Sequence, residues 1–114
     1  MSDSEFVIKL NEEVSVSGQL TAEMVDQVKA LGVASVICNR PDGEAPDQPP
    51  ASEVEAACAA LGITFAYVPF NPMSPSPTLQ ADFAAAYQAA PKPLLAYCRS
   101  GQRSARLVSA LDAQ

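Results

Sequence analysis

The 114-residue chain contains no histidine. That absence excludes a Ser-His-Asp triad, a Cys-His dyad, and any zinc or haem held by imidazole within the chain. Basic residues are scarce, with 7 Lys and Arg against 13 Asp and Glu and a formal net charge of −6. A duplex nucleic-acid binder carries a basic stripe, so nucleic acid is not an expected partner. The cysteines are three, Cys38, Cys58 and Cys98. An odd count without a close pair is no disulfide framework, and four spaced metal ligands are missing. No metal and no cofactor is therefore expected. No apolar run reaches the roughly 18 residues of a membrane span. Met1 to Glu5 is polar and acidic, without the basic and apolar regions of a signal peptide. The composition predicts a cytoplasmic protein without a membrane partner, whose chemistry draws on Cys, Arg, carboxylates, hydroxyls and backbone groups.

At 48% hydrophobic residues the chain can bury a core, and its length fits one domain over 1–114. Phe6, Ile8 and Leu10, then Val14 and Val16, read as a short N-terminal hairpin or two edge strands. Thr21 is placed to cap a helix carrying Met24, Val25, Val28 and Leu31, which Gly32 ends. Residues 33–38, 63–68 and 94–97 read as buried strands. Ser52 and Glu55 have the spacing of a capping box before an Ala-rich helix that ends at Gly62. Thr78 is placed to cap the next helix, and 104–111 reads as the last. The alternation predicts an α/β fold with a mostly parallel central sheet flanked by helices. Ligands bind beyond the carboxyl ends of such strands. The loops leaving those ends are 39–51, 69–77 and 98–103, the first two long and proline-rich.

The third loop carries the chemistry. An apolar strand delivers Cys98, Gly101 permits a tight turn, and Arg103 and Ser104 open the following helix. Successive N–H groups of 99–104 can form an anion-binding nest reinforced by the helix N-terminus. Arg99, Arg103 and Arg106 place three of the seven basic residues within eight positions. Such a field lowers a thiol's pKa without help from histidine. Cys98 is the expected nucleophile, with Arg103 as its catalytic partner. Arg99, Ser100, Gly101, Gln102 and Ser104 are expected to bind a small anionic substrate. Cys38, in an apolar strand, and Cys58, on the Val54, Ala57, Leu61 helix face, read as buried structural thiols.

These stretches resemble the phosphatase-like domain of β-lactamase-hydrolase-like proteins, long catalogued as a domain of unknown function. The matching segments are Ser17-Gly18-Gln19-Leu20, Leu31-Gly32, Val36-Ile37-Cys38-Asn39-Arg40-Pro41-Asp42-Gly43-Glu44, Leu61-Gly62-Ile63, Tyr67-Val68-Pro69 and Tyr97-Cys98-Arg99-Ser100-Gly101-Gln102-Arg103-Ser104. The resemblance implies a fold similar to dual-specificity tyrosine phosphatases. It also implies a functional partner, since members occur alone or fused to a persulfide dioxygenase.

Within that resemblance the loop length matters. Tyrosine phosphatases use Cys-x5-Arg, whereas Cys98 and Arg103 enclose four residues, the rhodanese pattern. The shorter loop suits a single sulfur atom better than a tetrahedral phosphoryl group. Where phosphatases usually have His before the cysteine, this chain has Tyr97. Phosphatases also need a general acid for an alkoxide leaving group, and loop 69–77 holds no carboxylate. Asp42 is the candidate acid, with a turn role in Pro-Asp-Gly as its alternative, and Arg40 is a candidate for the pocket rim. The main expectation is a sulfurtransferase that forms a Cys98 persulfide from thiosulfate or a glutathione persulfide-type donor. The alternatives are a cysteine phosphatase with a Cys98 thiophosphate, and a non-catalytic anion-binding module.

Overall fold

The computed structural model describes residues 6–112, with side-chain surroundings given to residue 111. Among the described residues nine elements follow one another as β1 (Val7–Lys9), β2 (Val14–Ser17), α1 (Val25–Ala30), β3 (Ser35–Cys38), α2 (Ala51–Ala60), β4 (Thr64–Tyr67), α3 (Leu79–Ala89), β5 (Leu94–Tyr97) and α4 (Gln102–Asp112). They build a five-stranded sheet in the order β1-β2-β5-β3-β4. β1 pairs antiparallel with β2 as the expected hairpin, and every other pairing is parallel.

β5 lies at the centre and is buried on both faces, which explains its unbroken apolar run. Leu95 and Tyr97 pack with Leu20, Val25, Val28, Val54 and Cys58 on the α1/α2 side. Leu94 and Ala96 pack with Phe83, Leu107 and Val108 on the α3/α4 side. Side chains alternate across a strand, so one four-residue strand anchors both halves of the core. The parallel pairing of β2, β5, β3 and β4 brings their carboxyl ends to one edge, where the three expected loops meet.

The main departures from the sequence reading concern caps. α2 does not start from a Ser52–Glu55 box. Its N-cap is Pro50, Ser52 lies inside the helix, and the Ala51 N–H donates to Asp42 Oδ1 at 2.8 Å. The orphan donor is satisfied by a residue nine positions upstream, which local spacing does not reveal. Thr21 Oγ1 accepts the Met24 N–H at 3.3 Å, but in a turn before α1, which begins at Val25. Thr78 is the N-cap residue of α3 as expected, but its hydroxyl makes no capping bond to a backbone N–H and instead donates to Asp82 at 2.9 Å. α4 starts at Gln102, two residues earlier than expected. β3 and β4 are each shorter than the apolar runs that contain them. No described helix is long and apolar enough to cross a membrane.

Candidate active site

The end of β5 is tied into the sheet from both sides. The Cys98 N–H donates to the Ser17 carbonyl at 3.2 Å, and the Asn39 N–H donates to the Tyr97 carbonyl at 2.7 Å. The chain then turns at once into α4. Gly101 sits at φ +95°, the left-handed region that suits glycine, and its carbonyl accepts the Ala105 N–H at 2.9 Å as α4 begins. A second glycine makes room. A Cβ on Gly18 would lie 2.9 Å from the Arg99 carbonyl oxygen, so the loop leans directly on the backbone that follows β2.

Cys98 is fully enclosed by this loop, at 0% exposure. The Gly101 N–H donates to its Sγ at 3.0 Å. Burial pushes the Cys98 thiol up, but the backbone N–H groups of Ser104, Ser100, Gly101 and Arg103 outweigh it, and the net shift is downward. The fold thereby supplies what the missing imidazole cannot. The other two thiols behave differently. Burial raises Cys38, with hydrogen bonding only partly offsetting it, and burial raises Cys58 to about 11. Both are buried and stay protonated at neutral pH. Tyr97 lies in the α1/α2 core, where burial and the neighbouring Cys38 raise its hydroxyl. That hydroxyl lacks a nitrogen or oxygen partner among the described residues.

Arg103 is held by three contacts. Nη1 donates to Glu44 Oε2 at 2.7 Å and to the Phe70 carbonyl at 2.9 Å, and Nη2 donates to Glu44 Oε1 at 3.0 Å. Glu44 also accepts from Arg40 Nε at 3.1 Å, and Arg40 Nη1 reaches Gln19 Oε1 at 3.0 Å. Arg40 is 6% exposed, and this pairing offsets the cost of burying its charge. Hydrogen bonding from Arg103 holds the Glu44 carboxyl below the usual carboxylate range. Three segments distant in sequence (Gln19 after β2, Arg40 and Glu44 after β3, Arg103 on α4) thus form one charged chain beside the loop.

The remaining site residues fall at different depths. The buried Ser104 hydroxyl donates to Asn39 Oδ1 at 2.8 Å, while Asn39 Nδ2 donates to the Val68 carbonyl at 2.8 Å. Ser104 therefore locks the loop to β3 and β4 with its side chain, while its N–H serves Cys98. Arg99, Ser100 and Gln102 are exposed at the outer rim. Arg106 lies one turn along α4, its guanidinium 5.6 Å from the Phe70 ring centre. Asp42 is engaged in its own contacts: its carboxylate caps α2 and its N–H donates to Tyr67 Oη at 3.0 Å. The turn-and-cap role describes the contacts it makes. No group of three or more His, Cys, Asp or Glu among the described residues could hold a metal ion.

Sequence reasoning missed Glu44, Gln19 and the Phe70 carbonyl as parts of the site. Glu44 had one available signal, its i+4 spacing from Arg40. The contact with Arg103 is made across 59 residues and has no local signature.

Residues 6–114 match the family described as the phosphatase-like domain of beta-lactamase hydrolase-like protein. A beta-lactamase hydrolase-like protein of Agrobacterium fabrum is 32% identical over 104 residues, covering 88% of this chain and 23% of that protein. One from Xylella fastidiosa is 30% identical over 101 residues, covering 89% and 23%. The chain thus spans about a quarter of the length of these curated relatives. A solved structure described as a "putative phosphatase" from Neisseria meningitidis superposes with a TM-score of 0.79 at 34% identity, covering 88% of this chain and 71% of that one. The catalytic core of the PP-IP phosphatase SIW14 from S. cerevisiae superposes at 0.72 with 17% identity, covering 96% and 65%, a likeness of fold. The fold is that of the tyrosine and dual-specificity phosphatases, and the chain belongs to the phosphatase-like domain family of the beta-lactamase hydrolase-like proteins.

Proposed function

We propose that this chain is a cysteine enzyme of phosphatase-like fold whose Cys98 accepts one sulfur atom from a sulfane-sulfur donor. The Cys98 thiolate attacks the outer sulfur of a persulfide, R–S–SH. A sulfur–sulfur bond forms to Cys98, the donor's own bond breaks, and the donor leaves as a thiolate. A thiol or cyanide then attacks the terminal sulfur of the Cys98 persulfide and frees the Cys98 thiolate. No step requires a general acid, because thiolates leave readily as anions.

The observation that carries this reading is the six-residue loop itself. Cys98 and Arg103 enclose four residues, and the loop encloses the nucleophile completely, which suits a single reacting atom. The supply of protons supports the same choice. Asp42 is engaged at the α2 N-terminus. Glu44, the carboxylate beside Arg103, is held in its ionised form. Loop 69–77 contains no carboxylate.

The second reading is a phosphatase, in which Cys98 takes the phosphoryl group and Arg103 clamps its oxygens. The comparisons favour it: the family is phosphatase-like, and the 34% identical relative is described as a "putative phosphatase". It requires the loop to admit a tetrahedral group and a proton donor to be found. Wild-type and Cys98→Ser protein assayed side by side, with glutathione persulfide plus cyanide and with an aryl phosphate, separate the two. Sulfur transfer predicts thiocyanate formation above the uncatalysed reaction of the persulfide with cyanide, an excess that disappears in the variant. Cys98-dependent aryl-phosphate hydrolysis without that excess establishes the phosphatase instead.

A further inference from the structure

The pairing of Glu44 with Arg103 bears on which anions the loop accepts. Three of the five guanidinium N–H donors of Arg103 are already used, two on Glu44 and one on the Phe70 carbonyl. One N–H on Nη2 and the Nε–H remain for an incoming anion. Arg40 adds a second cation, tied to the same carboxylate. Two guanidinium groups and one carboxylate give the cluster a formal charge of +1, and an ionised Cys98 cancels it. The paired cluster that fronts the loop is thereby left with almost no net charge of its own, with Arg99 and Arg106 standing outside it at the exposed rim.

We propose that Glu44 is a specificity-determining residue that sets this balance, so that the Cys98 loop discriminates against doubly charged anions. Donors whose reacting end carries at most one charge, such as organic persulfides, are favoured over thiosulfate and over phosphate monoesters. The inference rests on reading the Cys98 loop as the substrate site. Its physical basis is that the energy of a charge in a field scales with that charge. Adding one positive charge beside the loop therefore helps a dianion twice as much, in free energy, as a monoanion. The geometry makes the carboxylate a fixed element: it is bidentate on Arg103 and shared with the buried Arg40, which restricts its swing away from the site. Glu44 acts through Arg103 and is a positioning residue, not a catalytic one.

The test is an amide chemical-shift titration, following the Gly101 and Arg103 N–H signals with sulfate as dianion and nitrate as monoanion. In Glu44→Gln the sulfate Kd should fall about tenfold and the nitrate Kd about threefold. The amide oxygen of Gln preserves an acceptor for the guanidinium groups. Adding Arg40→Gln to Glu44→Gln restores the formal +1 and should return the sulfate-to-nitrate ratio toward the wild-type value. A merely structural role for Glu44 predicts no such return. If Glu44→Gln fails to fold, Arg40→Gln alone reads the balance from the other side, weakening sulfate more than nitrate. An unchanged ratio in the folded variants overturns the proposal. Anion selectivity is measured without any turnover, so its failure is distinct from a failure to form the Cys98 persulfide.

Discussion

At the scale of single residues, the three cysteines differ because their backbone surroundings differ. Cys98 is as buried as Cys58, yet only Cys98 sits where N–H groups converge. Its alkylation rate by iodoacetamide should therefore rise with a pH midpoint below the roughly 8.5 of a free cysteine. Enclosure slows the reaction but does not move that midpoint. Cys38 and Cys58 should remain unmodified in the native protein, as peptide mass mapping will read. A midpoint at or above the free value contradicts the account of the loop. The glycines make a paired case. Gly101→Ala forces a side chain into the left-handed region, which costs about 1–2 kcal/mol, and its Cβ meets Ser17 backbone at 3.4 Å. Gly18→Ala has no such φ, but its Cβ would meet the Arg99 carbonyl oxygen at 2.9 Å. Gly18→Ala should displace the loop and depress Cys98 reactivity more than it lowers Tm.

At the scale of elements, the sequence was legible where information is local. The β5 boundaries match the apolar run 94–97, and the loop before α4 is visible in Cys98, Gly101 and Arg103 because the turn is built from consecutive residues. Helix starts were less legible. The S-x-x-E spacing at Ser52 is a local pattern, overridden when Asp42 reached the Ala51 N–H across the proline-rich loop. The same physics hid Glu44, whose partner Arg103 lies on another element. Asp42 gives a prediction that separates a cap from an acid. Asp42→Ala should destabilise the fold by about 1 kcal/mol in a denaturant titration, and Asp42→Asn, which also caps, by much less. Both should leave Cys98 turnover within about twofold. A loss of turnover in Asp42→Asn at unchanged stability would make Asp42 part of the chemistry.

At the scale of the whole molecule, charge is distributed unevenly. A chain of net charge −6 keeps Arg40, Arg99, Arg103 and Arg106 near one edge of the sheet, with Glu44 between two of them. The concavity of about 410 Å3 beneath the hairpin, lined by Val7, Val14, Leu31, Val33 and Pro93 among others, lies at the opposite edge and does not include Cys98. The charged cluster also couples to folding. The Glu44 carboxyl is lowered in the folded state, first by Arg103. Its contribution to stability is thus present above the unfolded pKa of about 4.3 and lost as pH falls through the lower folded value. Glu44→Gln should flatten that part of the acid unfolding curve. An unchanged acid limb contradicts the pairing.

Transfer of sulfur through Cys98 is the activity we propose for the shortened loop of this phosphatase-like fold. Intact-protein mass spectrometry after brief exposure to glutathione persulfide and removal of excess donor tests it most directly. The account predicts a species heavier by one sulfur atom, mapped to Cys98, discharged by cyanide and absent in Cys98→Ser. An unmodified Cys98, together with a phosphorylated Cys98 trapped from an aryl phosphate, would contradict it.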